Sequence, residues 1–444
     1  MVIPCYDEPD LIPTLQSLTD GHLINGKVEV IVVVNQSTAD SAEIVKRNKQ
    51  TISFSQQWVD KQSTNIKFHF LHQELPAKWA GVGLARKIGM DEAVRRFHQL
   101  DKDGIIVCLD ADCTCSVNYL QAIEAHFTSN NQTPGCAIYF EHTEDSKSKR
   151  EQHTEDSKGK REQHTEDSKS KSEEHTGSKS EREQHTGSMS LEQLSRSKNP
   201  EAGANSQGIA SYELHLRYYT HALQYCGLPC AFQTVGSAMA VRSSAYQKQG
   251  GMNKRKAGED FYFLQKIIKL GGFSNLKSAT VYPSSRPSQR VPFGTGRAML
   301  ALGQQPVPAY MTYHPNTFLD LKKFTDGLPD LFQASSSRTD LIWESLSPAF
   351  QGFISKSKFT ATIQQVNQKT NGWDNFEKRF FHWVDGFFAF KFANYARAFY
   401  PEVNVSEAAG WLLNQAYGLQ PVSDDVLEIL MEFRALDNGA TARR

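Results

Sequence analysis

The stretch from Val28 to Val34 holds six apolar residues in seven, five of them valine. β-branched side chains favour a strand, and with no apolar/polar alternation neither strand face can be left to water. A chain with such a run must cover it on both sides, as helices do for a parallel sheet. Similar short runs occur at Val2-Ile3, Ile66 to Leu71, Ile105 to Leu109 and Cys136 to Phe140, separated by helical patterns at Pro9 to Leu18, Gly83 to Phe97 and Val117 to Phe127. The alternation predicts an α/β layout, a mainly parallel sheet flanked by helices, whose ligands meet the carboxyl ends of the strands. Met1 falls inside the first strand, so either that strand is short or the native start lies upstream.

A second feature interrupts this pattern. His142 to Ser188 contains no Ala, Val, Ile, Leu, Met, Phe, Trp, Tyr or Cys, yet 22 of its 47 residues are charged. The motif His142-Thr-Glu-Asp-Ser-Lys recurs at His153 and His164 and degenerates at His175 and His185. An 11-residue period suits a right-handed coiled coil only if an apolar seam exists, and here none does. Without apolar area to offset the entropy of ordering, residues 142–206 are expected to be a disordered low-complexity insertion. Histidines spaced so widely in a flexible chain supply no preorganised metal geometry, and tandem duplication of a surface loop is the plainer account.

Charge and cysteine content exclude several classes. Lys+Arg and Asp+Glu number 49 each, so no global field draws the chain to nucleic acid. No run reaches the length needed for a transmembrane segment, and Met1 to Pro4 does not open a secretory signal. The seven cysteines are an odd number scattered through apolar segments, which fits reduced thiols better than a disulfide framework or a zinc site. A cytoplasmic protein, or one peripheral to the inner face of a membrane, is expected.

Beyond the insertion, Tyr212 to Tyr225 and Asp260 to Leu270 read as helices, Ser237 to Val241 and Ala279 to Tyr282 as strands, and the chain from Asn316 as mainly helical. Phe376, Phe380, Trp383, Phe387 and Phe390 recur at helical spacing and read as one face of one helix, a core seam rather than a sugar-stacking platform.

Polar clusters punctuate the strand ends. Pro4-Cys-Tyr6-Asp-Glu8 follows the first strand, Asn35-Gln-Ser37 the second, and Asp110-Ala-Asp112 the run ending at Leu109. Two carboxylates at i and i+2 on a strand end point alike and can share Mg²⁺ or Mn²⁺, hard cations that take oxygen ligands and bridge phosphates. Gly258-Glu259-Asp260 opens a helix, where carboxylates are also favoured simply as N-terminal residues. Arg286, Arg290 and Arg297 surround Pro292-Phe-Gly294-Thr-Gly296, and guanidinium forks suit phosphates or an anionic acceptor.

In this order, Val2-Ile-Pro-Cys-Tyr-Asp-Glu8, Val33-Val-Asn-Gln-Ser37, Gly81-Val-Gly-Leu-Ala-Arg-Lys-Ile-Gly89, Leu109-Asp-Ala-Asp112 and Gly258-Glu-Asp260 resemble family 2 glycosyltransferases with the GT-A fold. The resemblance implies a nucleotide-sugar-binding half at 1–141 and an acceptor and catalytic half at 207–297. It does not cover the insertion or the mainly helical region 298–444. It further implies that Pro4, Tyr6, Glu8 and Asn35 line the nucleoside pocket, that Arg86 meets base or pyrophosphate, that Asp110 meets ribose and metal, and that Asp112 ligates the metal. Asp260 would be the general base, with Glu259 positioning acceptor or base. The family usually has Asp where Asn35 stands, and an amide both accepts and donates, which leaves the base open.

The expected activity is therefore metal-dependent, inverting transfer of one sugar from a nucleotide-diphosphate sugar, a UDP-sugar in the first instance. The acceptor would be a hydroxyl of a glycan, lipid-linked or small-molecule compound. The Gln-x-x-Arg-Trp motif of processive polysaccharide synthases is absent. A catalytically silent nucleotide-sugar-binding protein is the rival, motivated by Asn35 and the insertion, with the intact carboxylates against it. A nucleotidyltransferase would prefer a Gly-rich basic loop after the first strand.

Overall fold

A computed structural model describes residues 1–143, 200–288, 294–302 and 310–439, with backbone alone for 200–205. Arg290 and the repeat from residue 144 to 199 lie outside the described residues. Eight strands form one sheet: β1 (Val2–Cys5), β2 (Glu29–Ser37), β3 (Lys67–Leu75), β4 (Ile105–Cys108), β5 (Thr114–Cys115), β6 (Gly135–Phe140), β7 (Met239–Arg242) and β8 (Ser274–Tyr282). Their order is β3-β2-β1-β4-β7-β6-β8-β5. The pairs β3/β2, β2/β1, β1/β4 and β6/β8 are parallel. In contrast, β7 runs antiparallel to both β4 and β6, and β5 antiparallel to β8. The sheet is thus mixed rather than mainly parallel in its second half.

The valine run explains itself in this setting. Ile31 and Val33 face one core, and Val30, Val32 and Val34 face the other. Each fully buried valine contributes about 1.5–3 kcal/mol. On the second of these faces lie α1 (Leu11–Thr19), α4 (Tyr119–Ser129) and, through the partly buried Ile52 and Trp58, α2 (Ala42–Val59). On the first lie α3 (Val82–Gln99), α5 (Pro200–Tyr225), α6 (Ser243–Lys248), α7 (Glu259–Ile268) and the C-terminal helices. α3 lies close against β1 and β2 because position 89 is glycine, where a Cβ would run into Val2 and Val33.

Sequence and structure also part company within the helices and at the start of the repeat. α2 is not legible as a helix because it buries only Asn48 and Ser55. The aromatic stripe is divided between two helices, Trp373–Trp383 and Gly386–Ala396, by a bend at Val384-Asp385. The Asp385 carboxylate accepts from Phe388 N at 2.9 Å and starts the second helix, and Gly386 lets the backbone lie against the Gln265 amide, which a Cβ would displace. His142, the first histidine of the repeat, is 5 % exposed and belongs to the folded body. Its backbone N–H and its ring Nδ1 meet Glu213 Oε2 at 2.7 and 3.0 Å, and Arg434 donates to its carbonyl at 3.0 Å.

All seven cysteines are buried, and none forms a disulfide among the described residues. No helix among the described residues is long and apolar enough to cross a membrane.

Candidate functional site

Gly258 takes the left-handed conformation at φ +69° and caps α7, which places Glu259 and Asp260 in the first turn. Their carboxyl groups lie beside Arg86 of α3, a side chain 1 % exposed. Arg86 Nη1 donates to Glu259 Oε1, and Nη2 donates to Asp110 Oδ1 at 2.5 Å. Asp260 accepts from Gly236 N at 2.9 Å and from Phe261 N at 2.8 Å. A Cβ at Gly236 would come within 2.5 Å of Arg86 Nη1, and one at Gly83 would collide with the Arg255 carbonyl, so both glycines admit the close approach that builds the cluster.

The electrostatics follow from burial. Desolvation raises the Glu259 carboxyl to about 7 against the opposing pull of Arg86, with the Asp260 charge adding to the rise. Asp260 is also raised by burial, offset by Arg86 and by its two backbone N–H donors. Burial works against the Arg86 charge, but Asp110 and Glu259 outweigh it and hold the guanidinium firmly protonated.

A second arginine organises the neighbouring carboxylates. Arg286, on the segment after β8, donates to Glu8 Oε2 at 2.6 Å and lies 3.7 Å from Asp112 Oδ2. Glu8 is 1 % exposed and also accepts from Asp10 N at 2.9 Å. The expectation that Asp110 and Asp112 share a strand end needs revision: β4 stops at Cys108, both acids occupy the following turn, and each meets a different arginine. Their side chains are 38 % and 30 % exposed. No group of three or more His, Cys, Asp or Glu among the described residues is placed to hold a metal ion. Asp110 and Asp112 are nonetheless partly exposed oxygen donors of the type that Mg²⁺ or Mn²⁺ would take.

Asn35 lies within β2, not after it. It is 3 % exposed, and its Oδ1 is buried without a hydrogen-bond partner among the described residues. Its backbone carbonyl accepts from Asn48 Nδ2 at 3.1 Å, while Asn48 Oδ1 accepts from Asp7 N at 3.0 Å. Asn48, invisible in a polar helical stretch, is what ties the first two strand ends together. The Tyr6 hydroxyl donates to Asp40 at 3.0 Å, and burial together with that carboxylate pushes it up to about 12. Pro4 pairs with Val33 in the β1/β2 register. Arg297 is exposed on the helix Thr295–Leu302.

Residues 1–182 match the family model described as glycosyl transferase family 2. That span of the chain is similar to family 2 glycosyl transferases. Its mixed sheet, flanking helices and C-terminal helical region agree with the GT-A fold. The matched span includes Asn35, Arg86, Asp110 and Asp112 and ends before Glu259 and Asp260, which the fold brings back through Arg86. No curated protein matches the chain. Among solved structures it is similar to S. aureus TarS 1-349, at 12 % identity over 99 % of this chain and 90 % of that one, with a TM-score of 0.35. The same protein in complex with UDP-GlcNAc gives 11 %, 100 %, 92 % and 0.36. A mannosyltransferase from Pyrobaculum calidifontis in complex with GDP-Man and Mn²⁺ gives 12 %, 98 %, 85 % and 0.34. Scores of this size add nothing to what the family match and the geometry support.

Proposed function

We propose that this protein transfers one sugar from a nucleotide-diphosphate sugar to an acceptor hydroxyl in a single inverting displacement. The observation that carries the reading is the Arg86 clasp, which joins a carboxylate of the matched nucleotide half to the Glu259-Asp260 pair of the second half. Asp260 is the general base: two backbone N–H donors aim its carboxylate, and a pKa raised by burial makes it a stronger proton acceptor than a surface aspartate. Glu259 holds Arg86 and through it the base. Asp112 and Asp110 are the residues that would hold Mg²⁺ or Mn²⁺, which when bound stabilises negative charge on the departing diphosphate. Arg286 lies beside the same carboxylates and would supply a positive fork to the phosphates.

The unpartnered Asn35 Oδ1 supports a base that presents an imide N–H, which favours a UDP-sugar as donor. Asp260→Asn tests the assignment. Transfer is expected to fall by about 10²–10⁴-fold with donor affinity kept within a few-fold. Full activity in that variant would remove Asp260 as base.

A further inference from the structure

The bend at Val384-Asp385 divides the aromatic series between two tasks. Phe376 and Phe380 are fully buried. In the helix Gly386–Ala396 the core contacts pass to Phe388 and Phe392, which pack on Phe350 and Phe353. Phe387 and Phe390 turn instead to α7. The Phe387 ring lies 5.2 Å from Phe261 and 4.9 Å from Tyr262, and the Phe390 ring lies 5.5 Å from Phe261. Gly386 sits against Gln265 whereas Phe390 reaches Phe261, so this helix runs back along α7 toward the end that bears Asp260.

The rings are held rigidly yet left partly open. Arg255 stacks 3.6 Å from the Tyr262 ring, and Lys269 pairs with Asp385 at 2.5 Å, which fixes one helix on the other. Phe390 remains 43 % exposed although the core does not need it. Its neighbour Lys391 is exposed, as is Arg255 beyond Tyr262. A lipid chain or an amphipathic helix requires a continuous apolar groove. A single aromatic face with charged neighbours matches a pyranose ring, whose C–H face lies flat on an aromatic ring while its hydroxyls reach polar groups at the edge.

We propose that Phe261, Phe387 and Phe390 form an acceptor subsite beside Asp260, and that the group seated there is a carbohydrate. This rests on the reading of Asp260 as the base and names the acceptor class that the reading leaves open. The sequence offers this stripe as a core seam, and the bend makes its last two members available for binding.

The test uses the full chain, labelled and applied to an array of immobilised neutral oligosaccharides, with retained members then titrated in solution. In parallel, a thermal shift with UDP and Mn²⁺ monitors the donor side. Expected are oligosaccharide binding by the wild type, at least tenfold weakening in Phe390→Ala, recovery in Phe390→Trp, and the same UDP shift in all three. Absence of binding to any oligosaccharide, equal binding by Phe390→Ala, or Phe390-dependent retention on phosphatidylcholine vesicles instead would overturn the subsite. Absence of a UDP shift in the wild type counts against the donor reading alone, and the array still decides the subsite.

Discussion

Arg86 Nη2 lies 2.5 Å from Asp110 Oδ1 while Nη1 of the same guanidinium reaches Glu259, 173 positions further along the chain. A lysine presents one point charge and cannot span two carboxylates in this way. Arg86→Lys is therefore expected to fold and to lose transfer by more than tenfold. Arg86→Ala leaves Glu259 buried without its partner and should cost about 3–5 kcal/mol of stability, read from urea unfolding. Wild-type turnover in Arg86→Lys would show that the clasp is architectural only.

The unpartnered Asn35 Oδ1 makes a prediction about base selection. A thermal-shift series with UDP, GDP, CDP and ADP should rank UDP first. Asn35→Asp, which can only accept, should sharpen that preference, and Asn35→Leu should flatten it. An unchanged ranking in Asn35→Leu would mean that the base is read elsewhere.

His215 is expected to weaken the fold on the acid side. Its Nδ1 lies 2.7 Å from Thr312 Oγ1, and burial, with the Arg397 charge adding, lowers its pKa from 6.5 to about 4. A depressed folded-state pKa gives stability that is present above the unfolded value and lost as pH falls through the folded one. Wild-type melting temperature should thus drop between about pH 6.5 and pH 4 more steeply than that of His215→Asn, and parallel curves would refute the assignment.

How much of this was legible beforehand depends on the range of the interaction. The valine run and the carboxylate spacings are local, and they place β2, β4, Asp110 and the α7 start close to where the structure has them. Strand order is not local: nothing in residues 239–242 says that β7 will pair antiparallel between β4 and β6. The Gly236 N–H that orients Asp260 leaves no side-chain signature at all. The stripe from Phe376 to Phe390 has ideal helical spacing, yet an aspartate cap and a glycine packed on Gln265 break it, and both signals were present as Asp385-Gly386.

Metal dependence is open to direct measurement. Asp112 and Asp110 supply the only carboxylates that the reading gives to a cation, so Asp112→Ala should lose the part of UDP affinity that depends on Mn²⁺ or Mg²⁺. Calorimetry with and without the ion separates the two contributions. Equal UDP binding in wild type with and without metal would remove the cation from the scheme.

The last prediction concerns where the polar repeat meets the folded body. Residues 144–188 contain no apolar side chain and so have little to contribute to a core, whereas His142 is buried between Glu213 and Arg434. Glu213 in turn accepts from Arg217 and Arg434, and these cations hold its carboxyl far below the usual range despite burial. Removing the imidazole strips one partner from this buried network, at a cost of about 1–3 kcal/mol. Excision of 144–188 is expected to leave urea stability and UDP binding near wild type, while His142→Ala lowers stability. Were the excision the more damaging of the two, the repeat would have a structural role that its composition does not reveal.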